Sequence, residues 1–222
     1  MTSSKHSIVI VDDHPLFRRG LTQLLNTLPN FTLLGEASGG RDGIELVKRS
    51  HPDLLLLDLN MKDMSGLDVL KALKASDLDT RIVMITVSDQ ADDLIAALRG
   101  GADGYLLKDM EPELMLESLQ AAANGRIIVS EELTHLLAAS LRQQKRPNNP
   151  IEAGLTDQEQ RILERIAAGK SNKLIGKELD IAEGTVKVHV KHILRKLNLR
   201  SRVEAAVWSV ENLQKGRHGK GE

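Results

Sequence analysis

Along the first half of the chain, apolar residues follow two alternating patterns. Short runs rich in Val, Ile and Leu recur at residues 7–11, 31–35, 53–57, 81–87 and 104–107. Between the first two, Leu16, Gly20, Leu21, Leu24, Leu25 and Leu28 fall in one stripe at helical spacing, which predicts an amphipathic helix. Leu54-Leu55-Leu56-Leu57 has no polar alternation, so it predicts a strand buried on both faces. Strands that alternate with helices predict a parallel sheet covered on each side. Residues 1–125 are therefore expected to form a doubly wound α/β domain with five parallel strands. Ligands of such a domain sit outside the carboxyl ends of the strands.

Beyond residue 125 the period is helical. Leu133, Leu136, Leu137 and Leu141 predict a helix over 130–141, and the ten residues 141–150, with two prolines and no apolar stripe, are expected to be a flexible tether. The expected division is thus 1–125, a helix and linker over 126–150, and an all-α domain over 151–222. In that last part Thr156 and Glu159 form a capping box. Gly169 is placed to end this helix and Ser171 to cap a second through Leu179, with a third over about 182–197. This is a helix-turn-helix outline. On the third helix Val186, Val190, Ile193, Leu194 and Leu197 form the inward stripe. The opposite face carries Val188, Lys191, His192 and Arg195, flanked by Lys187.

Charge sharpens this division. The 222 residues carry 30 Lys+Arg against 31 Asp+Glu, a net of −1. Residues 1–140 alone hold 13 basic and 21 acidic side chains, residues 141–150 three basic and none acidic, and residues 151–222 hold 14 basic and 10 acidic. An acidic front and a basic back predict different partners, and the front is expected to hold the basic third helix in cis at rest. With no cysteine, disulfides, Cys-ligated zinc and thiol catalysis are excluded. Aromatics at 2% argue against base-stacking platforms for single strands. No apolar run approaches the ~20 residues that span a bilayer, so no membrane insertion and a cytoplasmic protein are expected.

The strand ends hold the candidate chemistry. Asp12 and Asp13 follow the first strand, Asp58 the third, Thr86 ends the fourth and Lys108 follows the fifth. One aspartate after a strand is commonly a cap or turn former, but five such groups at successive strand ends are not explained that way. Three carboxylates at one edge call for a cation, and an all-oxygen set suits Mg²⁺. A carboxylate beside Mg²⁺, an ammonium and a hydroxyl can attack a phosphoryl donor. On the third helix, lysines around an exposed valine suit a DNA major groove, where Lys meets guanine or phosphate and Val a thymine methyl. A solvated face explains the lysines but not Val188.

With Asp12-Asp13, Asp58, Thr86 and Gly104-Tyr105-Leu106-Leu107-Lys108, the first domain resembles the receiver domain of two-component response regulators. The resemblance implies Asp58 as phosphoacceptor, with Thr86 and Lys108 on the phosphoryl group and Tyr105 as a switch aromatic that swings inward. It implies Mg²⁺ on Asp13, Asp58 and the Asn60 main-chain carbonyl, with Asp12 reaching it through water. The family commonly has Met-Pro where Met61-Lys62 stands here, which puts a cation near the pocket. His14 is read as a surface or capping residue.

Leu155-Thr156, Gly169, Ser171-Asn172-Lys173, Ile175, Leu179 and Thr185-Val186-Lys187-Val188-His189 resemble the LuxR/FixJ-type helix-turn-helix over about 151–213. This implies base or phosphate contacts by Lys187, Val188 and Lys191, with Arg195 and His192 on the same face. It also implies a dimer surface through Val203, Ala206 and Val207, for which the plain alternative is core packing of the fourth helix. Ala182 stands where that family has a capping Ser or Thr, Gly184 lies in the first turn, and Gln158 replaces a frequent Arg.

As a whole the chain resembles response regulators of the NarL/FixJ family, close to their nitrate/nitrite-responsive members. The resemblance implies a non-enzymatic transcription regulator. A sensor histidine kinase would phosphorylate Asp58, and a homodimer would bind double-stranded promoter DNA of anaerobic respiration genes. Three alternatives remain open: the same family serving another signal, a phosphorylation-independent binder, and a Mg²⁺-dependent phosphohydrolase. The last lacks a second acid two residues after Asp58, where Asn60 stands.

Overall fold

Five parallel strands, β1 (His6–Val11), β2 (Phe31–Ala37), β3 (Leu54–Asp58), β4 (Arg81–Thr86) and β5 (Gly104–Leu107), pair in the order β2-β1-β3-β4-β5. Helices α1 (Pro15–Asn26), α2 (Gly40–Ser50), α3 (Gly66–Lys74), α4 (Ala91–Gly100) and α5 (Pro112–Ala123) follow the five strands in turn. This computed structural model describes residues 5–76, 78–88, 90–126, 128, 138, 147 and 149–218. It forms two units, Met1–Ala123 and Asn124–Glu222.

All five β3 residues are buried, because the central strand has a neighbour on each side and helices above and below. Burying each of its leucines contributes roughly 1.5–3 kcal/mol. Val11 pairs with Leu57, Asp58 with Ile85 and Thr86 with Leu107, so the strands run out at one level. The residues that come next along the chain are therefore gathered at one edge. At the opposite edge Asp53 lies outside β3; its carboxylate accepts from the Ser7 N–H and hydroxyl at 2.8 and 2.7 Å. It ties the starts of β1 and β3 instead of extending the strand.

Two connections depend on glycine. A Cβ on Gly66 would lie 2.1 Å from the Asp58 main-chain oxygen, because α3 starts directly against the end of β3. Ser65 caps α3 by accepting from the Asp68 N–H, and Asp63 caps α2 by accepting from the Gly40 N–H at 2.9 Å. The loop after Asp58 is thus pinned at both ends.

In the second unit the described helices are α6 (Asp157–Ala167), α7 (Asn172–Leu179), α8 (Glu183–Lys196) and α9 (Arg202–His218). The Thr156/Glu159 capping box is formed and Ser171 caps α7. Gly169 lies beyond α6 at φ 72°. Gly176 lets the turn close: a Cβ there would meet the Ile181 carbonyl at 2.7 Å. Ile162, Leu163, Ile166, Ile175, Val186, Ile193, Leu197 and Trp208 are buried. Val190 and Leu194 of the expected inward stripe are only half-buried. The expected helix over 130–141 lies outside the described residues, apart from Ala138, which is helical. The end of the expected tether is held: Trp208 Nε1 donates to the Pro147 carbonyl at 3.2 Å and Leu155 N to that of Pro150 at 3.0 Å.

Glu159 does more than cap. Its carboxylate also accepts from Lys196 Nζ at 2.7 Å, joining α6 to α8. Burial pushes this carboxyl up, but the Lys196 hydrogen bond, the Thr156 N–H and the Lys196 charge outweigh it and leave it below the usual range. A carboxyl held low in the folded state stabilises above its unfolded value, and the contribution disappears as pH falls through the folded one. Glu159→Gln is therefore expected to cost about 1–2 kcal/mol at neutral pH, a difference that shrinks as the solution is acidified below about pH 4.5. Unfolding followed by the single tryptophan, Trp208, reads this unit; a pH-independent difference contradicts the assignment.

Candidate functional site

The strand ends bring Asp12, Asp13, Asp58 and Lys108 together. Lys108 Nζ lies 2.7 Å from Asp12 Oδ2 and 2.8 Å from Asp58 Oδ2. The Asp12 and Asp58 side chains are 0% and 2% exposed, and that of Lys108 is 7% exposed. Phe17 on α1 lies under the ammonium, 5.0 Å from ring centroid to Nζ, a cation–π contact that holds the lysine over the pocket. Arg18 donates to the Asp12 carbonyl at 2.6 Å. Neither Phe17 nor Arg18 was legible as a site residue, because neither belongs to a motif or to a strand end.

Burial pushes the Asp58 carboxyl above its usual range; Lys108 opposes that and the Asp12 charge adds to it. Asp12 Oδ2 and Asp58 Oδ2 are both buried against Lys108 Nζ, and Asp13 Oδ1 lies 2.9 Å from His14 Nδ1, so three carboxylates share a single ammonium. Buried charge in this condition needs further cationic compensation, so the donor set fits a divalent ion. Asn60 is exposed and its N–H donates to Asp58 Oδ1 at 3.3 Å. The Lys62 N–H donates to Asp13 Oδ2 at 3.2 Å, with Lys62 itself exposed.

His14 is 62% exposed, as expected of a surface residue, and stands at the N-cap of α1 without a side-chain cap bond. Its Nδ1 also lies 2.9 Å from Asp13 Oδ1, 3.3 Å from Asp12 Oδ1, 3.5 Å from Asp58 Oδ2 and 3.4 Å from Lys108 Nζ, so the ring borders the pocket.

Thr86 is buried, and its hydroxyl accepts from the Ser88 N–H at 3.0 Å. Tyr105 is already inward, 4% exposed, and its hydroxyl donates to the Ser88 carbonyl at 3.0 Å. Ser88 in turn donates to Asp93 Oδ2 at 2.7 Å. One short segment thus holds both expected switch residues. Ser88 carried no signal in the sequence, because its role is played largely by its main chain.

In the second unit, α8 exposes Val188 (51%) together with Lys191 and Arg195, while Lys187 and His192 are half-buried. Lys187 lies 3.8 Å from Glu183 one turn earlier. An exposed valine ringed by cations on a helix after a tight turn has the form of a groove-reading face. Val203, Ala206 and Val207 on α9, expected as a dimer surface, are instead buried.

Residues 8–120 match the family model described as "Response regulator receiver domain", and residues 153–209 match "Bacterial regulatory proteins, luxR family". The chain is 52% identical to the nitrate/nitrite response regulator protein NarL of Escherichia coli K12 over 202 residues, covering 91% of this chain and 94% of that one. It is 46% identical to the nitrate/nitrite response regulator protein NarP of the same organism, covering 90% and 92%. Among solved structures, it resembles the signal receiver domain of the response regulator NarL from Mycobacterium tuberculosis. The TM-score is 0.54 at 36% identity, over 55% of this chain and 99% of that one.

Proposed function

Since this chain belongs to the response regulators that couple a receiver domain to a LuxR-type DNA-binding domain, we propose that Asp58 is its phosphoacceptor and that α8 reads its promoter. The observation that carries this reading is the pair of buried carboxylates Asp12 and Asp58 bridged by Lys108, with Asp13 beside them. In the transfer, an Asp58 carboxylate oxygen attacks the phosphorus of a kinase phosphohistidine. A P–O bond forms, the P–N bond breaks, and the imidazole leaves with a proton from solvent. Asp13, Asp58 and the Asn60 carbonyl, with Asp12, would hold Mg²⁺, which when bound would supply charge neutralisation to the transferring oxygens. Lys108 moves from Asp58 Oδ2 to a phosphoryl oxygen once that carboxylate is esterified. Thr86 has its own hydroxyl proton to donate to another, since toward Ser88 its oxygen only accepts.

That donation pulls the 86–88 segment toward the pocket, and Tyr105 moves with it through its bond to the Ser88 carbonyl. The names of the relatives support nitrate or nitrite as the signal sensed upstream by the kinase. Pairing of two copies through Val203, Ala206 and Val207 requires that buried face to be uncovered. Among the described residues no helix is long and apolar enough to cross a membrane.

Selection of bound sequences from random double-stranded DNA, run side by side with phosphorylated and unphosphorylated protein, tests the reading. Phosphorylation is expected to enrich paired half-sites and tighten binding; identical selections overturn it. On α8, Lys187→Ala and Lys191→Ala are each expected to weaken binding and, for a phosphate contact, to lower the salt slope by about one. Val188→Ala is expected to re-rank bound sequences without changing that slope. Anisotropy titrations across a salt series read both, and if neither lysine matters the groove assignment is wrong.

A further inference from the structure

Arg18 fastens the main chain from which Asp12 and Asp13 project. Its Nη1 donates to the Asp12 carbonyl at 2.6 Å, and its Nε lies 3.5 Å from Glu36 Oε2 near the end of β2. One turn further along α1, the Thr22 hydroxyl donates to Glu36 Oε1 at 2.7 Å. Both oxygens of Glu36 are thus held from one face of that helix. The Arg18 and Glu36 side chains are 17% and 32% exposed, a partly shielded pair. Asp12 lies one residue beyond β1, and its N–H donates at 3.1 Å to the carbonyl of Ala37, the residue after Glu36. Its carboxylate accepts from the His14 N–H at 2.7 Å. So β2 holds one side of this residue and Arg18 the other. The Asp12 carbonyl and the Asp13 nitrogen share one peptide plane. Fixing that carbonyl sets ψ of Asp12 and φ of Asp13, the torsions that aim the acidic pair beside Asp58. A guanidinium suits the task, because its Nε and Nη1 are separate donors on one rigid plane.

From this geometry we infer that Arg18 is a positioning residue for phosphoryl uptake: braced by Glu36 and Thr22, it sets the Asp12–Asp13 peptide and through it the shape of the pocket at Asp58. It touches none of the reacting atoms. A misplacement of about 1 Å at a reacting centre costs as much as a hundredfold in rate, so a bond that fixes the pocket wall acts on rate from behind it. The inference rests on Asp58 being the phosphoacceptor. Charge alone makes a different claim. If Arg18 acted only as a positive charge near the carboxylates, lysine would replace it, and neutralising Glu36 would help uptake instead of hindering it.

The test uses the full chain as wild type, Arg18→Ala, Arg18→Lys, Glu36→Gln and Asp58→Asn. Amide hydrogen exchange followed by NMR in EDTA, with no metal or donor added, reads position without chemistry. Intact mass after addition of acetyl phosphate and MgCl₂ reads the rate of uptake. Arg18→Ala is expected to speed exchange of the Asp12 and His14 N–H by about tenfold or more and to slow uptake by about tenfold. The amides of Leu55 and Leu56 in the buried β3 are expected to exchange as in wild type. Arg18→Lys, with one nitrogen for two partners, is expected to fall between Arg18→Ala and wild type. Glu36→Gln keeps an oxygen for Thr22 but loses the ion pair, and is expected to slow uptake by roughly twofold to threefold. The inference is overturned if Arg18→Ala exchanges the two amides as wild type does, or if Arg18→Lys matches wild type. It is overturned equally if Glu36→Gln takes up phosphoryl groups as fast as wild type or faster. Should Arg18→Ala loosen β3 as well, the direction of the Glu36→Gln effect decides. Failure of the underlying reading looks different: wild type takes up no phosphoryl group, or Asp58→Asn takes it up equally.

Discussion

Asp58→Asn is expected to remove phosphoryl uptake altogether, whether the donor is a phosphorylated kinase or a small acyl phosphate. The amide oxygen is a poor nucleophile, and among the described carboxylates only Asp12, 2.7 Å from Lys108 Nζ and fully buried, shares the ammonium contact that Asp58 makes at 2.8 Å. Intact-mass spectrometry reads the result directly, and DNA affinity of the variant is expected to be the same with and without donor. Stability separates loss of chemistry from loss of fold. Burial and the Asp12 charge push the Asp58 carboxyl up, so replacing it with a neutral amide relieves repulsion, while Lys108 keeps Asp12. The variant is therefore expected to lie within about 1 kcal/mol of wild type. Uptake that persists in Asp58→Asn sinks the phosphoacceptor assignment.

Gly66→Ala is expected to destabilise the receiver by about 3 kcal/mol, at the upper end for one added methyl group. The new Cβ would lie 2.1 Å from the Asp58 main-chain oxygen and 2.8 Å from Leu59 Cα. Both are backbone atoms at the buried end of β3, and Gly66 N also donates to the Leu59 carbonyl at 2.8 Å, so neither side can yield cheaply. The displaced atom belongs to Asp58, the proposed phosphoacceptor, so phosphoryl uptake should fall together with stability. Gly20→Ala is the matched control: nothing lies within 4 Å of a Cβ there, and in the interior of α1 the change should stabilise by about 0.5–1 kcal/mol. Urea unfolding followed by circular dichroism reads both variants, with Trp208 fluorescence reporting the other unit as an internal reference. A Gly66→Ala loss no larger than about 1 kcal/mol means that α3 does not seat directly on the end of β3.

The pocket was legible because a parallel sheet converts order in sequence into position in space. Once the apolar runs assign the strands, Asp12, Asp58, Thr86 and Lys108 can only emerge at one edge. The exposed face of α8 was legible for a similar reason: helical period places Val188, Lys191 and Arg195 opposite Val186, Ile193 and Leu197 whatever else happens. His14 is exposed as expected, but the nearness of its ring to three carboxylates was not legible, because a residue between an aspartate pair and a proline reads equally well as a turn. Whether Val203, Ala206 and Val207 on α9 pack in the core or face a second copy was undecided for another reason, since an apolar helical stripe looks the same whether its cover comes from its own chain or from a second copy.

What the amino-acid sequence by itself determined is therefore whatever periodicity and covalent order control: five strands and their helices, the capped α6 and α7, the division of charge, and the aspartates and lysine at the strand ends. Tertiary structure alone decided what depends on approach between segments distant in the chain. It set Lys108 between Asp12 and Asp58, the His14 ring among three carboxylates, Ser88 between Thr86 and Tyr105, and α3 against the Asp58 carbonyl where only glycine fits. The physical reason is range. Backbone period and capping act over a few residues, whereas these contacts are set to tenths of an ångström by packing across the whole sheet edge.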